Sequence, residues 1–374
     1  METTFDFRGR TPKKMGLDWS DSGYLALSAL NVKNGYIDKG ADAHYGNQEL
    51  YDKWMAGKEL RKGQVLFTTE APMGNVAQVP DNNGYILSQR TIAFKVVTSK
   101  VTDDFLAVVL RSSNTINELK AMASGGTAKG VSQKTLSELN VIVPVEIDEQ
   151  TKIATFFQQL DHTITLHQRK VEQLKQLKKA YLEKIFSQQV RFSGFTENWE
   201  QRKFNELVFR LNKSTDSDRL PKVEFEDITA GEGRLNKDVS QKFDNRKGIE
   251  FLPNDILYGK LRPYLKNWLK ASFHGVALGD FWVFRVNDND SDFIYALIQA
   301  DKYQRAANDT AGTKMPRSDW KKVSKTEFVV PRNIEEQQQI GTFFQQLDHF
   351  ITLHQRKLDS LNKIKKFYLQ NMFI

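Results

Sequence analysis

A stretch of 15 residues occurs twice in this chain with one difference, and this duplication constrains the fold more than any other feature. The first copy, FFQQLDHTITLHQRK, covers residues 156–170, and the second, FFQQLDHFITLHQRK, covers residues 343–357. The alignment extends without gaps over residues 144–186 and 331–373. The chain therefore contains an internal repeat, and both copies are expected to adopt the same structure.

Apolar residues in both copies recur at alternating steps of four and three, the heptad pattern of helices that pack along a seam. From Gln150 to Phe186 such a helix would be about 55 Å long at 1.5 Å per residue, which makes it a spacer as well as a core element. The residues predicted to pair the helices are Phe157, Leu160, Ile164, His167 and Leu174 in the first copy, and Phe344, Leu347, Ile351, His354 and Leu361 in the second.

Further apolar residues widen this stripe beyond a two-stranded seam, so the helices are expected to contact more than each other. They are Leu166, Leu177 and Leu182 in the first copy, and Leu353, Ile364 and Leu369 in the second. The histidines of the seam are interpreted as polar residues that specify pairing, because His162 and His167 are five residues apart and face different directions, unlike a zinc-binding pair. Asn333 and Glu336 predict a capping box at the start of the second helix.

The segments between the helices contain short β-type runs such as GQVLFTT and VALGDFWVFRV. Their elements follow the same order, since TDDFLAVVLRS in the first matches DSDFIYALIQA in the second. The predicted fold class is α+β, with two globular domains at residues 1–143 and 191–330. Residues 144–190 and 331–374 form the two helices, predicted to pair as an antiparallel coiled coil with pseudo-two-fold symmetry.

Charge and composition favour a protein of the cytoplasm with a polyanionic partner. The chain has 54 Lys and Arg against 46 Asp and Glu, a net charge of +8, although many proteins with such a charge bind no nucleic acid. It has no cysteine, which excludes disulfides and thiolate metal sites. No apolar run approaches the roughly 20 residues that cross a bilayer, so no membrane partner and no metal site are expected.

The repeated helix, together with RFSGFTENWEQRKFNEL at residues 191–207, resembles the specificity (S) subunit of type I restriction-modification enzymes over nearly the whole chain. The resemblance implies two target-recognition domains, each reading one half of a bipartite double-stranded DNA sequence, held apart by the helices as a ruler. It also implies a non-catalytic chain without a cofactor of its own. Two modification subunits that use S-adenosylmethionine would dock on the helices, and two restriction subunits that use ATP and magnesium would join them.

The first half departs from this pattern, because it begins near TTFDFRGRTPKK and has no counterpart of residues 191–207. Two alternatives therefore stay open beside the specificity subunit. One is a coiled-coil scaffold whose globular ends bind proteins, and the other is an inactive, truncated specificity cassette.

Motifs for chemistry within this chain are missing from the sequence. An adenine methyltransferase holds its flipped base with an Asn- or Asp-Pro-Pro-aromatic motif, and the sequence has no Pro-Pro pair. The phosphate-binding pattern GxxxxGK[ST] is also absent. No catalytic residue is predicted.

Candidate DNA contacts lie on loops that combine basic or hydroxyl side chains with glycine or proline, where Lys would contact phosphates and Arg could read bases. A solvated basic surface is the alternative for the first loop, and a helix-entry turn for the second. The candidates are Arg8, Arg10, Lys13 and Lys14 in FRGRTPKK; Thr127, Lys129 and Ser132 in SGGTAKGVS; Lys260, Arg262 and Tyr264 in YGKLRPYL; and Thr313, Lys314 and Arg317 in AGTKMPRS.

Overall fold

The computed structural model of the chain describes residues 3–6, 11–124, 129–310 and 314–373. The chain forms two compact units, one of residues 1–167 with 357–374 and the other of residues 168–356. Two long helices each contribute one part to the first unit and the other part to the second.

The first unit combines short strands with four short helices and parts of both long helices. Its strands are β1 (Thr3–Asp6), β2 (Tyr24–Leu27), β3 (Val32–Lys33), β4 (Tyr36–Ile37), β5 (Tyr45–Gly46), β6 (Val65–Thr68), β7 (Val76–Gln78), β8 (Ile86–Leu87) and β9 (Thr91–Lys95). Its short helices are α1 (Gln48–Met55), α2 (Asp103–Val109), α3 (Ser113–Met122) and α4 (Gln133–Ser137), and the first long helix is α5 (Ile147–Phe186).

The second unit has the same kind of composition. Its strands are β10 (Glu200–Lys203), β11 (Val208–Leu211), β12 (Ser214–Thr215), β13 (Lys222–Val223), β14 (Ile228–Thr229), β15 (Arg234–Leu235), β16 (Gly248–Phe251), β17 (Ile256–Gly259), β18 (Trp268–Lys270), β19 (Gly275–Ala277), β20 (Phe281–Val286) and β21 (Glu327–Val330). Its helices are α6 (Phe204–Leu207), α7 (Ser291–Leu297), α8 (Asp301–Asn308), α9 (Trp320–Val323) and the second long helix, α10 (Ile334–Asn371).

The main sheet has the same topology in both units, as the matching order of elements predicts. In the first unit the antiparallel order is β1-β9-β6-β7, and in the second it is β11-β20-β17-β18. The central strands are buried and are rich in β-branched and aromatic residues, such as VLFT in β6 and ILYG in β17. The mixed α/β fold and its internal repeat are thus confirmed.

A buried glutamine ties each long helix to the short helix that follows the main sheet. In the first unit, Gln150 donates to the carbonyls of Pro144 (2.8 Å) and Lys100 (2.9 Å) and accepts from the Thr102 amide (3.0 Å). Thr102 is also the N-cap of α2, where its hydroxyl accepts from the Phe105 amide. These bonds satisfy the buried Gln150 amide and three backbone groups of the partly buried junction.

The second unit repeats this arrangement with Gln337. Its amide donates to the Pro331 carbonyl (2.9 Å) and to Asn289 (3.0 Å), and its oxygen accepts from the Asp290 amide (2.9 Å). Asp290 in turn caps α7. The same side chain therefore fixes the same junction in both halves of the chain.

The start of α10 differs from its predicted form. The Asn333 side chain accepts from the Glu335 amide (2.7 Å), which satisfies one free N–H of the first turn. Glu336, however, does not fold back onto Asn333, because its carboxylate binds Arg191 and Trp199. The predicted capping box is therefore wrong, and a contact far away in the sequence replaces it.

Candidate nucleic-acid interface

Two of the loops predicted to contact DNA lie side by side in the second unit. The Arg262 amide donates to the Pro316 carbonyl (2.7 Å), and the Ser318 amide donates to the Lys260 carbonyl (2.8 Å). Leu261 and Arg317 form an isolated antiparallel bridge between these bonds. The segments around 260–264 and 314–318 are thus joined into one surface.

An acidic side chain pairs with two of the basic groups of this surface. Asp280, just before β20, accepts from Arg317 (3.0 Å) and lies 3.6 Å from the Lys260 ammonium. Lys314, in contrast, is exposed, as are Tyr264 (56%) and Met315 (51%). The surface therefore offers an aromatic ring and a lysine to solvent beside two basic groups that Asp280 orients.

Arg262 has a backbone conformation that non-glycine residues rarely adopt, with φ at 48° directly before the buried Pro263. Such strain persists where the surrounding structure enforces it, often at binding sites. Here the hydrogen bond from the Arg262 amide to Pro316 is one of the contacts that enforce it.

The first unit contains a corresponding loop that the sequence reasoning missed. Ala71 follows β6 as Arg262 follows β17, it also precedes a proline, and its φ is 49°. Glu70 in this loop pairs with Arg90 (2.8 Å), which precedes β9 as Asp280 precedes β20. Each loop thus has an ion pair at its base, but the residue before the following strand is basic in the first unit, Arg90, and acidic in the second, Asp280.

The Gly-rich segment of the first unit joins this loop, as its equivalent does in the second. Glu70 and Gly130 form an isolated bridge, and the Val131 amide donates to the Thr69 carbonyl (3.0 Å). Lys129 next to it is exposed. The Ser132 hydroxyl accepts from the Thr135 amide (2.9 Å) as the N-cap of α4, which is the role that a helix-entry turn predicts for this residue.

The remaining candidates on these loops fall into two groups. Lys13 and Lys14 are exposed on a one-turn 3-10 helix, Pro12–Met15. Four candidates, Arg8, Arg10, Thr127 and Thr313, lie outside the described residues.

The predicted seam residues are brought together within each unit. In the first unit, Leu160 and Ile164 of α5 pack with Leu358 and Leu361 of α10, all less than a tenth exposed. Phe157 is fully buried, and its ring lies 6.2 Å from that of Phe373.

In the second unit, the seam residues join the main core. Leu174 of α5 is buried in one cluster with Phe344, Leu347 and Ile351 of α10. The two histidines of the seam, His167 and His354, are half-buried. The helices run antiparallel in both units, because rising numbers in α5 meet falling numbers in α10.

Crossed ion pairs accompany the seam, and the heptad pattern did not identify them. Lys365 reaches Asp161 across 2.6 Å in the first unit, and Lys178 reaches Asp348 across 2.5 Å in the second. The lysines occupy equivalent positions of the repeat, as do the aspartates. Arg111 is a second cation beside Asp161, at 2.9 Å.

Several apolar residues of the long helices remain exposed. In the first unit these include Leu166 (50%) and Ile364 (42%), and in the second they include Leu177 (43%) and Leu353 (53%). Leu166 is equivalent to Leu353 in the repeat, and Leu177 to Ile364. Each unit therefore exposes one apolar residue at the Leu166/Leu353 position of the repeat and one at the Leu177/Ile364 position.

Within the part of the chain that the structure describes, no three acidic, histidine or cysteine side chains are grouped so that they could hold a metal ion. Over the same residues, no helix is long and apolar enough to cross a membrane.

The repeated sheet, the paired helices and the joined loops define a class of internally duplicated α+β proteins in which helix contacts are kept while loop chemistry differs. The type I restriction modification DNA specificity domain matches residues 5–176 and again residues 196–363. The chain belongs to this family and is a specificity subunit of a type I restriction-modification system.

Solved structures share the fold over almost the entire chain. The S subunit of the type I restriction-modification system from M. genitalium has a TM-score of 0.67 at 14% identity, covering 100% of this chain and 93% of that one. A chain from a structural study of complex assembly and conformational transition of the type I R-M system has a TM-score of 0.53 at 14% identity, covering 98% and 94%. At this identity the likeness concerns the fold.

Proposed function

We propose that each unit of this specificity subunit reads one half of a bipartite double-stranded DNA site through its joined loops. The observation that carries the proposal is the pair of loops built around Ala71 and Arg262. They follow equivalent strands of the main sheet and share a rare positive φ, yet they differ in side chains and in the sign of the charged residue that precedes the next strand of the sheet, Arg90 or Asp280. Two loops with the same backbone position but different side chains are suited to reading two different half-sites.

The exposed and basic side chains of these loops suit the two tasks of a DNA reader. Lys13, Lys14, Lys129 and Lys314 are exposed and would contact phosphates. Arg262 and Arg317, with Tyr264 beside them, are the candidates for base contacts in the second unit. A bidentate arginine-guanine contact discriminates against a wrong base by about 1–3 kcal/mol.

We also propose that the exposed apolar residues of the long helices dock the modification subunits. One equivalent pair lies in each unit, Leu166 with Ile364 and Leu177 with Leu353, which supports two modification subunits per chain. S-adenosylmethionine, ATP and magnesium would then act on those subunits and on two restriction subunits, and this chain would carry no catalytic residue or cofactor.

Mapping of methyladenine tests the proposal. The chain is co-expressed with a cognate modification subunit, and the methylated motif is compared with that of an R262A variant and of a variant in which residues 69–73 are replaced by the loop of another family member. Each variant is expected to change one half of the motif and to leave the other half intact. Wild-type protein that assembles with the modification subunit but produces no split motif would contradict the proposal.

A protein-binding scaffold is the competing function, and the match to DNA specificity domains gives it no support. Filter binding to double-stranded DNA over a range of salt concentrations separates the two. A DNA reader loses affinity linearly on a logarithmic scale as salt rises, whereas a scaffold shows no such slope.

A further inference from the structure

An open cleft of about 530 Å³ in the second unit is lined by basic side chains of both the globular part and the second long helix. Arg234 begins β15, Lys237 follows this strand, Lys270 ends β18, and Arg356 lies on α10. Among the described residues, no aspartate or glutamate lines the cleft. Cations of four separate side chains therefore surround one space.

Carboxylates outside the cleft hold three of these cations in place. The pairs are Arg234 with Glu232 (2.8 Å), Lys237 with the fully buried Asp227 (2.8 Å) and Lys270 with Asp292 (2.6 Å). An ammonium has three N–H donors and a guanidinium has five, so each cation keeps donors for a further anion. The side chains are also ordered before any ligand binds, which lowers the entropic cost of binding.

Arg356 is the cation of the cleft that has no carboxylate partner among the described residues, and it is exposed. It belongs to the repeated sequence FFQQLDHFITLHQRK, whereas the other three cations belong to the divergent globular part. The cleft therefore keeps an excess of positive charge after its three ion pairs are formed.

The first unit makes one of the equivalent contacts without a cation. Its strand β7 corresponds to β18, and Gln78 at the end of β7 donates to Asp104 of α2 at 2.7 Å. Lys270 makes the same contact with Asp292 of α7. The shared fold does not require a positive charge at this position, so the charge of Lys270 has a purpose other than packing.

The hairpin beside the cleft differs between the units in the same direction. Tyr36 begins β4 as Arg234 begins β15, and Asp38 follows β4 as Asn236 follows β15. A phenol and a carboxylate thus stand where the second unit has a guanidinium and an amide. The basic character of the cleft is a feature of the second unit and not of the shared fold.

The cleft is also separate from the joined loops. Lys270 lies opposite Ile256, the first residue of β17, whereas Lys260 of the joined loops directly follows the last residue of that strand. The cleft and the loops are therefore at opposite ends of the same pair of strands.

We propose that this cleft is a binding site for a phosphate group. The phosphate oxygens accept hydrogen bonds from Arg234, Lys270 and Arg356, and Arg356 supplies the charge that the ion pairs leave unbalanced. A phosphate with a charge of about −2 and several acceptor oxygens matches cations that surround one space better than a single carboxylate does. The phosphate comes either from the backbone of bound DNA or from a free oligophosphate such as a nucleotide.

Isothermal titration calorimetry of the full chain with tripolyphosphate tests the site. Wild-type protein binds tripolyphosphate, and K270Q/R356Q binds it at least about tenfold more weakly because charge-assisted hydrogen bonds are lost. K270Q is compatible with the fold, since Gln78 makes the same contact in the first unit. The matched controls K247Q and R305Q remove exposed cations of the second unit outside the cleft and leave the affinity unchanged.

Filter binding to duplex DNA of arbitrary sequence, over a range of salt concentrations, distinguishes the two sources of the phosphate. If the DNA backbone supplies it, K270Q/R356Q reduces the slope of log affinity against log salt by about 0.9, the value for one B-DNA phosphate. An unchanged slope together with weakened binding of tripolyphosphate assigns the site to a free oligophosphate.

Absence of a loss in both measurements for K270Q/R356Q would overturn the proposal. Failure of the proposed DNA reading gives a different result, because wild-type protein would then show no salt slope at all. The calorimetric comparison of wild-type protein with K270Q/R356Q would still decide whether the cleft binds phosphate.

Discussion

Lys178 of α5 donates to Asp348 of α10 at 2.5 Å and to the side-chain oxygen of Gln299 at 2.6 Å. In the first unit, the residue aligned with Gln299 is Arg111, so Asp161 has two cationic partners while Asp348 has one. Burial raises the pKa of Asp348, and the attraction of Lys178 offsets only part of this effect. The two crossed contacts have the same geometry but different electrostatics.

The raised pKa of Asp348 predicts a dependence of stability on pH. The folded state binds this proton more tightly than the unfolded state, whose carboxyl has the ordinary value of 3.8. The contribution of Asp348 to the free energy of unfolding should therefore fall as pH rises from about that value through the raised pKa, and level off above it. Urea unfolding at a series of pH values should show this contribution as the difference between wild-type protein and D348N, because carboxyls with lowered pKa values, such as Asp227 and Glu224, contribute the opposite slope equally to both. D148N, at an exposed position, should retain the wild-type slope.

Charge in the seam should be far more costly than charge on the exposed face of the same helices. L160D and L347D each place a carboxylate in an apolar cluster without a partner, so each should lower the free energy of unfolding by at least about 3 kcal/mol. The matched controls L166D and L353D lie at exposed positions and should change it by less than about 1 kcal/mol. Thermal unfolding by circular dichroism measures both. Equal losses for the two pairs would refute the seam.

The buried glutamines should contribute equally to their own units. Q150L and Q337L each leave two acceptors and one N–H without a partner, at a cost of about 1–3 kcal/mol per buried group. Native-state hydrogen exchange should report the loss in the first unit for Q150L and in the second for Q337L. Q158L, on the exposed side of α5, is the control. A loss confined to one of the two variants would mean that the junctions are not equivalent.

Phosphate contact by Lys314 should appear in the salt dependence of DNA binding. K314A should weaken binding to all sequences and reduce the slope of log affinity against log salt by about 0.9, the value for one B-DNA phosphate. K325A removes an exposed lysine from a turn outside the joined loops and should leave the slope unchanged. Filter binding from low to moderate salt gives both slopes, and an identical slope for K314A and wild-type protein would remove Lys314 from the interface.

Lengthening both helices should change the gap between the two half-sites if the helices set it. Insertion of one heptad near Lys175, with a matching heptad in α10, keeps the seam in register and adds about 10.5 Å at 1.5 Å per residue. That length corresponds to about three base pairs of duplex. Methyladenine mapping should then show the same half-sites with a longer gap. An unchanged gap would mean that the helices do not set the distance between the half-sites.

Local patterns in the sequence were sufficient for much of the fold. The steps of four and three located Leu160 and Leu347 in the seam, because burial along a helix follows its period. Matching segments such as TDDFLAVVLRS and DSDFIYALIQA located α2 and α7, because a hydroxyl or carboxylate cap and a buried run are local signals.

Contacts between distant residues could not be predicted in the same way. Glu336 fits a capping box by local spacing, but Arg191 and Trp199 outcompete the local contact with three charge-assisted hydrogen bonds. The crossed pairs of lysine and aspartate depend on the register of two antiparallel helices, which one sequence does not fix. In the sequence, these crossed pairs are indicated by the aspartate that recurs in both copies of FFQQLDH.

The loop around Ala71 was missed because it lacks basic residues. Lys and Arg on glycine or proline loops indicate DNA contact, and this pattern includes Arg262 but not its equivalent, Ala71. The signal that the two loops share is a residue before proline that lies three residues after the end of a buried strand. Comparison of the two halves by position, rather than by charge, would have found it.

Each copy of the long helix carries both the lysine that donates and the aspartate that accepts, so the contact surface is its own complement. The partners that the globular parts add to these contacts, Arg111 and Gln299, differ between the two halves, so the lysine-aspartate contact forms beside unlike reading units. Exchange of a whole reading unit would therefore replace the added partner while the contact from helix to helix is kept.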